Sequence, residues 1–330
     1  MDPGELNRPD LAVLGFGRFG RFAAGHLGTV GETVVFDPRD PGEAAREIGA
    51  RAVPLEQAAR ARHLLLCMPI GELRELLRAL RPHLLPRTVL IDTCSVKAEP
   101  ARILVEETPD SIDLLATHPL FGPDSGGAGL AGLRIVVCPL RRGRPRLARR
   151  FLERLGLEVI LSTPEEHDRQ IAETQALVQW IGRALERVGA GPRRVDTVGY
   201  QRLLEILTFV SRDSWQLFRD MQRRNPYAAA ARRRFLDALR EVEERLMDGW
   251  VVVFRAAGIA EAEVVKGYLE SLDIPVDLDY ESAGKVYGLT MDGLGEVRLR
   301  VPDDYEEAAR LAIAERLGDG NEGGGGDDVA

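Results

Sequence analysis

The sequence predicts an α/β protein: a mostly parallel sheet covered by helices on both faces, then an all-helical segment, then a small α+β unit. Three observations carry that prediction. Short, continuous apolar runs alternate with helical stretches from Leu11 to about Thr163. From Pro164 the apolar residues recur at helical spacing instead. After Trp250 the elements follow the order βαββα. The 330 residues suit two or three domains, and a 45% hydrophobic content is enough for packed cores.

The first strand is Leu11-Ala12-Val13-Leu14 and the second Glu32-Thr33-Val34-Val35-Phe36-Asp37. Ala52-Val53, His63 to Met68, Thr88 to Asp92, Asp113 to Thr117, Arg134 to Cys138 and Glu158 to Leu161 follow as further strands. Runs this short and this continuously apolar belong to strands buried on both faces. Ligands on such sheets sit beyond the carboxyl ends of the strands, so the loops after Met68, Asp92 and Thr117 should line one crevice. Ser162-Thr163-Pro164-Glu165-Glu166 is a helix start, with a hydroxyl cap, proline in the first turn and acids at the positive end. One helix then carries Ile171, Val178, Ile181, Leu185 and Val188, a second carries Leu203 to Met221, and a third spans Ala228 to Met247. Three helices with wide apolar faces have a thin core of their own, which predicts pairing with a second copy as a homodimer. The small unit runs Trp250–Phe254 (strand), Ala260–Leu272 (helix), Ile274–Leu278 and Glu296–Val301 (strands) and Asp304–Leu317 (helix). The expected division is therefore 1–163, 164–248 and 249–317, with a glycine-rich acidic tail, 318–330, too polar to fold.

Between the first two strands lies Gly15-Phe16-Gly17-Arg18-Phe19-Gly20, followed by a helix from Arg21 to Leu27. Strand, glycines, helix and a later acid, Asp37, form the dinucleotide-binding fingerprint of a Rossmann-type domain. Its glycines let the backbone turn tightly and meet a pyrophosphate at the positive end of a helix. Asp37 would accept hydrogen bonds from the adenosine ribose and repel a 2′-phosphate, which predicts NAD as cofactor. Arg39 leaves the strictness of that preference open, because an arginine there tolerates a 2′-phosphate. Met68 and Pro69, at the end of the His63 strand, complete the expected cofactor-binding set of Gly15, Phe16, Gly17, Arg18, Phe19, Gly20 and Asp37.

The net charge of −8 argues against nucleic acid as a partner, and no apolar run is long enough to span a bilayer. The first residues lack the basic and apolar regions of a signal peptide. Cys67, Cys94 and Cys138 are widely spaced in strands or strand ends, which predicts reduced thiols, no metal site and a cytoplasmic protein. Of five histidines, His118 stands where a hydride-transfer enzyme needs an acid/base, with an ordinary pKa near ~6.5 that suits neutral pH. Lysine is rare, at Lys97, Lys266 and Lys285, and Lys97 falls inside a motif, where it could hold nearby carboxylates or cap the next helix.

Four segments in order carry a resemblance: the glycine motif, Asp92-Thr93-Cys94-Ser95-Val96-Lys97, His118-Pro119-Leu120-Phe121-Gly122-Pro123-Asp124-Ser125-Gly126 and Glu165-Glu166-His167-Asp168. Together they resemble the prephenate/arogenate dehydrogenase family, and the histidine segment is similar to that of plant-type arogenate dehydrogenases. Gln175 to Arg183, Thr197 to Leu204 and Asp213 to Phe218 also match, so the resemblance covers about residues 10 to 248. It implies an NAD-dependent oxidative decarboxylation in tyrosine biosynthesis, acting on prephenate or arogenate. His118 would take the hydroxyl proton, Ser95 would bridge His118 and that hydroxyl, and aromatisation would drive the loss of carbon dioxide without a metal.

The chain departs from the family where a second histidine is expected in the first long helix, since Gln179 stands there. By the same resemblance, Phe209 stands where a family arginine grips the ring carboxylate, which leaves Arg202 or Arg212, with Arg212 favoured. Gln179, Asp196 and Arg212 are thus expected to join Ser95 and His118 at the substrate. Asp196 would favour the ammonium of arogenate. His167 reads as a neutral hydrogen-bonding residue near the domain junction. Two other readings stand beside the enzyme: an NAD-binding sensor without dehydrogenase activity, and another Rossmann hydroxy-acid dehydrogenase. The absence of lysine between Lys97 and Lys266 disfavours the latter. Residues 249–317 resemble a small signal-transducing domain, which implies a regulatory ligand or protein partner at that end.

Overall fold

The computed structural model describes residues 8–28, 31–127, 129–142, 144–280 and 296–319. They fall into two compact units that divide between Arg232 and Arg233. The glycine-rich tail lies, from residue 320 onward, outside the described residues.

The first unit is built on an eight-stranded sheet in the order β3-β2-β1-β4-β5-β6-β7-β8. Its strands are β1 (Leu11–Leu14), β2 (Thr33–Phe36), β3 (Arg51–Ala52), β4 (His63–Leu66), β5 (Val89–Asp92), β6 (Asp113–Pro119), β7 (Arg134–Pro139) and β8 (Glu158–Leu161). All neighbours pair parallel except β6 and β7. The mostly parallel sheet expected from the short apolar runs is what forms. Side chains alternate across it, as period two requires. Ala12, Leu14, Leu64, Leu66 and Leu90 enter one core with α4 (Ile70–Leu80) and α5 (Ala98–Glu107), whose Leu73, Leu77, Leu80, Ile103 and Leu104 join it. Val13, Val35 and Leu65 enter another core with Ala23 and Ala24 of α1 (Arg18–Leu27). Two buried faces explain why these strands read as unbroken hydrophobic runs.

Strand order reverses about β1, so the crevice for a ligand opens beyond the carboxyl ends of β1 and β4. β5 and β6 extend that edge, because they run parallel to β4. β6 is longer than the apolar run suggests. It continues through His118 and Pro119, paired against β7 through His118↔Val136 and Pro119↔Ile135. His118 is therefore held in the strand and not in the loop expected after Thr117.

The rest of the first unit is helical: α2 (Gly42–Glu47), α3 (Leu55–Ala58), α6 (Pro123–Gly126), α7 (Pro145–Arg154), α8 (Pro164–Glu173), α9 (Gln175–Arg187), α10 (Val198–Val210) and α11 (Trp215–Arg223). Thr163 caps α8 as the sequence indicates, accepting from Glu166 N–H at 3.2 Å. The two long helices expected after it are each broken. At Thr174 the hydroxyl donates to Gln170 O at 2.8 Å, and the backbone leaves the helical region with φ −111° and ψ −94°. At Ser211 the hydroxyl donates to Leu207 O at 2.7 Å, after which Ser214 caps α11 by accepting from Leu217 N–H at 3.1 Å. Hydroxyls that bond back to the preceding turn compete with the ladder and end or bend a helix. α9 and α10 then pack closely, and a Cβ at Gly182 would lie 2.4 Å from Val210 Cγ2.

The second unit contains most of α12 (Ala228–Asp248), then β9 (Trp250–Ala256), α13 (Ile259–Glu270), β10 (Asp277–Tyr280), β11 (Val297–Pro302) and α14 (Glu306–Asp319). Its antiparallel sheet has the order β10-β11-β9 and packs Val253, Leu299 and Val301 against Val265, Leu269 and Ile313. Among the described residues the βαββα order holds, with β10 beginning at Asp277 where the sequence suggested Ile274.

Candidate active site

The glycine loop leaves β1 at Gly15 and enters α1 at Gly17, the helix N-cap. Its three glycines have different reasons to be glycine. Gly15 has φ +92°, and a Cβ there would sit 2.5 Å from Cys67 O. A Cβ at Gly20 would sit 1.9 Å from Gly15 O, so Gly20 lets α1 close onto the loop. A Cβ at Gly17 would meet nothing within 4 Å. Nothing in the packing of the described residues requires glycine at 17, and no side chain caps the helix there. The first N–H groups of a helix lack partners within it, and together with the dipole they favour an anion. The loop thus has the form of a phosphate cradle.

Asp37 lies just past β2 with both oxygens engaged. Phe16 N–H donates to Oδ2 at 2.8 Å, and Arg39 N–H donates to Oδ1 at 2.9 Å. Burial alone would raise its pKa, but the bonds from Phe16 and Arg39 outweigh that and hold the carboxyl below its ordinary 3.8. The Arg39 side chain is exposed, its Nε 3.4 Å from Asp37 Oδ1. Met68 and Pro69 follow β4, and Pro69 is the N-cap of α4. Cys67 N–H donates to Leu14 O at 2.7 Å and Gly15 N–H to Phe36 O at 2.8 Å, so β1, β2 and β4 deliver these loops to one edge.

Further along that edge is a buried polar cluster. Asp92, Lys97, His118, His167 and Asp168 are each at most 3% exposed. Lys97 occupies the N-cap position of α5 without a side-chain capping bond, and its ammonium donates to Asp92 Oδ1 and to Thr117 O, the latter at 2.6 Å. Of the two readings of Lys97, the structure shows the carboxylate-holding one; it stands at the N-cap position, but its side chain does not cap the helix. Asp92 Oδ1 also accepts from Cys94 N–H at 2.9 Å, while Oδ2 is buried with no partner among the described residues. Asp168 accepts from Lys97 N–H at 2.7 Å and Ala98 N–H at 2.9 Å. His167 Nδ1 lies 2.8 Å from Asp168 Oδ1, and its Nε2 lies 2.8 Å from His118 Nδ1. Burial first, then the neighbouring His167 and Lys97, hold the His118 imidazole well below its ordinary 6.5, so it is neutral at pH 7. Ser95 is half-buried on the β5–α5 loop, two residues from Lys97.

The other expected substrate residues are dispersed. Gln179 is buried on α9, and its Nε2 donates to Asp213 Oδ2 at 2.5 Å, leaving Oε1 buried without a partner among the described residues. Burial raises the Asp213 carboxyl above its ordinary 3.8 despite that bond. Arg212 pairs with Asp124 Oδ1 at 3.1 Å, and Arg18 pairs with Asp124 Oδ2 at 2.7 Å, so Arg212 and the nucleotide loop share one carboxylate. Gly126, in the same segment as Asp124, lets α6 lie on α1, since a Cβ there would sit 2.4 Å from Phe22. Asp196 lies between α9 and α10 and accepts from Gln201 Nε2 at 2.8 Å, a partner on its own segment and not in the His118 cluster. His167, read from the sequence as a neutral hydrogen-bonding residue near the domain junction, is the direct neighbour of His118, a contact the sequence did not indicate. Its adjacency to Asp168 in the Glu165–Asp168 motif was the available signal.

No helix among the described residues is long and apolar enough to cross a membrane, and no cluster of metal-binding side chains occurs among them. All three cysteines are free.

Comparison with known proteins identifies relatives of the chain and of its fold. The family model described as prephenate dehydrogenase, nucleotide-binding domain, matches residues 36–141, and one described as TYRAAT1-like, C-terminal domain, matches residues 184–253. The chain is 33% identical over 248 residues to arogenate dehydrogenase 2, chloroplastic, of Arabidopsis thaliana, covering 72% of this chain and 69% of that protein. It is 29% identical over 252 residues to arogenate dehydrogenase 1, chloroplastic, of the same plant, covering 73% of this chain but only 39% of that longer protein. Among solved structures, prephenate dehydrogenase from A. aeolicus, crystallised with hydroxyphenyl propionate and NAD+, shares the fold with a TM-score of 0.60 at 19% identity, covering 81% of this chain and 96% of that one. Synechocystis arogenate dehydrogenase gives a TM-score of 0.54 at 21% identity, covering 80% and 98%.

Proposed function

The chain belongs to the prephenate/arogenate dehydrogenase family, and from that premise we propose that it oxidises prephenate or arogenate with NAD, releasing carbon dioxide and an aromatic ring. The observation that carries this reading is His118: a neutral, buried imidazole fixed in β6, beside the β5 loop, on the sheet edge where the Gly15–Gly20 loop opens. NAD, when bound, supplies the hydride acceptor. The residues Gly15, Phe16, Gly17, Arg18, Phe19 and Gly20 suit its pyrophosphate, Asp37 its adenosine ribose, and Met68 and Pro69 the wall beside it. The open space at Gly17 fits that role.

His118 accepts the proton of the ring hydroxyl as the hydride leaves the same carbon. A buried, uncharged base matches this task, because a protonated ring has no lone pair to offer. The ring carboxylate then leaves as carbon dioxide, and its bonding electrons complete the aromatic ring. Ser95, on the adjacent loop, holds the hydroxyl toward His118. Gln179, Asp196 and Arg212 are proposed to line the substrate, with Arg212 drawn from Asp124 to the substrate carboxylate. Asp196 favours the amine of arogenate. The work of the chain is positioning and one proton transfer.

Mixing the purified chain with NAD and each substrate, and following NADH absorbance, tests the reading. Turnover with either substrate that is lost in His118→Asn supports it. NAD binding without turnover would favour the sensor reading instead.

The proposed division of labour gives residues 1–163 to NAD, 164–248 to substrate and pairing, and 249–317 to regulation. Leu236, Leu239, Val242 and Leu246 form an exposed stripe on α12, which supports a homodimer. Molar mass by light scattering checks it. Three free cysteines suit a reducing compartment, and we place the protein in the cytoplasm.

A further inference from the structure

The buried cluster contains a chain of hydrogen bonds whose proton positions are dictated from one end. Asp168, as a carboxylate, can only accept. It takes Lys97 N–H on Oδ1 at 2.7 Å and Ala98 N–H on Oδ2 at 2.9 Å. These are the first backbone donors of α5, where the positive helix end favours an anion. Its peptide oxygen is fixed too, by Asn225 Nδ2 at 2.7 Å. His167 Nδ1, 2.8 Å from Asp168 Oδ1, must therefore bring the hydrogen. A neutral imidazole with its hydrogen on Nδ1 has its lone pair on Nε2. That Nε2 is the atom 2.8 Å from His118 Nδ1, so His118 must also carry its hydrogen on Nδ1. The lone pair of His118 then lies on Nε2, the nitrogen left for a substrate.

We infer that His167 and Asp168 are positioning residues, which fix His118 in the Nδ1–H tautomer and receive the positive charge when Nε2 is protonated. The inference rests on His118 as the base of the proposed reaction. The transfer balances. The substrate O–H bond breaks and its proton binds His118 Nε2, while the His118 Nδ1 proton passes to His167 Nε2. His118 ends neutral with hydrogen on Nε2. His167 ends with two N–H groups and one positive charge, against the carboxylate of Asp168. The reason for moving the charge is local. His118 stands near the Lys97 ammonium, which disfavours a second cation, whereas His167 stands against an anion.

Of the charged groups around it, His118 feels His167 and Lys97; the same region holds Cys94, on the β5–α5 loop beside Asp92 and Lys97, and Cys138 of β7, which feels Lys97, Asp92, Asp168 and Glu165. Both thiols are held above their ordinary 9.0 by burial, Cys138 at about 12, so neither titrates near neutral pH.

Two measurements on the full-length protein test the inference. Long-range ¹H–¹⁵N NMR of the histidine rings reads the tautomers without turnover. The expected result is hydrogen on Nδ1 in both His118 and His167, the less common form of a free imidazole. Hydrogen on Nε2 of His118 overturns the inference. In kinetics, His167→Leu removes the acceptor, and His167→Gln offers an oxygen acceptor that cannot take a proton. His167→Leu is expected to lower kcat ~100-fold with substrate KM nearly unchanged, and His167→Gln to recover roughly a tenth of the wild-type rate. A folded, NAD-binding His167→Leu protein with wild-type kcat also overturns the inference. If the wild-type chain turns over neither substrate, the dehydrogenase reading fails by itself, and the ring tautomers still decide this one.

Discussion

Gly17→Ala and Gly20→Ala make the same chemical change three residues apart, and the structure assigns them opposite consequences. At Gly17 the added methyl meets nothing within 4 Å, so packing is untouched. The remaining cost is that of alanine at an N-cap, about 1 kcal/mol. The methyl does stand on the open side of the loop, where a pyrophosphate must approach the α1 N–H groups. Losing one charge-assisted hydrogen bond costs about 1.5–3 kcal/mol, or roughly 10- to 150-fold in NAD affinity. At Gly20 the methyl would lie 1.9 Å from Gly15 O, a backbone atom that cannot swing aside. Relieving that contact must shift α1 off the sheet, with an overpacking cost of about 3 kcal/mol or more. Fluorescence titration with NAD and thermal unfolding separate the two effects. Gly17→Ala should bind NAD weakly and melt close to wild type. Gly20→Ala should lose stability and binding together. Unchanged NAD affinity in Gly17→Ala would refute the cradle, and a Gly20→Ala protein as stable as wild type would refute the close approach.

Lys97→Met leaves the buried Asp92 carboxylate without its cation and should cost about 3–5 kcal/mol in urea unfolding. Adding Asp92→Leu should return most of that stability without returning NADH formation. His118 is neutral in the fold because burial holds it well below its ordinary 6.5. A base with a depressed folded pKa gives stability that is full above the unfolded pKa and declines as pH falls through it. The stability gap between wild type and His118→Asn should therefore shift by about 1.3 kcal/mol, against the wild type, from pH 7.5 to 5.5. In the same way, the acid limb of kcat/KM should lie below pH 6.5, and a limb above it would contradict a desolvated base. Asp37→Asn removes the charge facing a 2′-phosphate and should lower the NAD-over-NADP ratio of kcat/KM ~10-fold, as measured with both cofactors.

What the sequence made legible followed from local physics. The strands were visible because both sheet faces are buried, and the glycine loop because its spacing has few other uses. His118 stood out because histidine is scarce and a strand end is where such chemistry sits. The breaks at Thr174 and Ser211 escaped notice because apolar periodicity continues through them, and the hydroxyl bonds that make them show only in three dimensions. The contact of His167 with His118 was not legible for a similar reason. His167 meets His118 across 49 residues of sequence, once α8 has packed beside β6. Arg212 was read for its charge alone, and its pairing with Asp124 beside Arg18 is again a tertiary fact.

The cluster around His118 is hard to explain as a device for stability. Five ionisable side chains are withdrawn from water within one short stretch of the sheet edge. Each buried charge carries a desolvation penalty of several kcal/mol, which even good geometry only roughly offsets, and apolar replacements of similar volume are often neutral or better. The hydrogen bonding is also incomplete, since Asp92 Oδ2 has no partner among the described residues. A fold selected for robustness alone would fill this place with leucine, as it does at Leu64, Leu66 and Leu90 on the same sheet. The arrangement makes sense if the low dielectric is the purpose. There, Lys97 and Asp92 neutralise one another, Asp168 stands against His167, and His118 is kept uncharged at the carboxyl end of β6. The swap of Lys97 and Asp92 for apolar residues is informative for that reason: it separates what holds the sheet together from what keeps the imidazole ready for its proposed proton transfer.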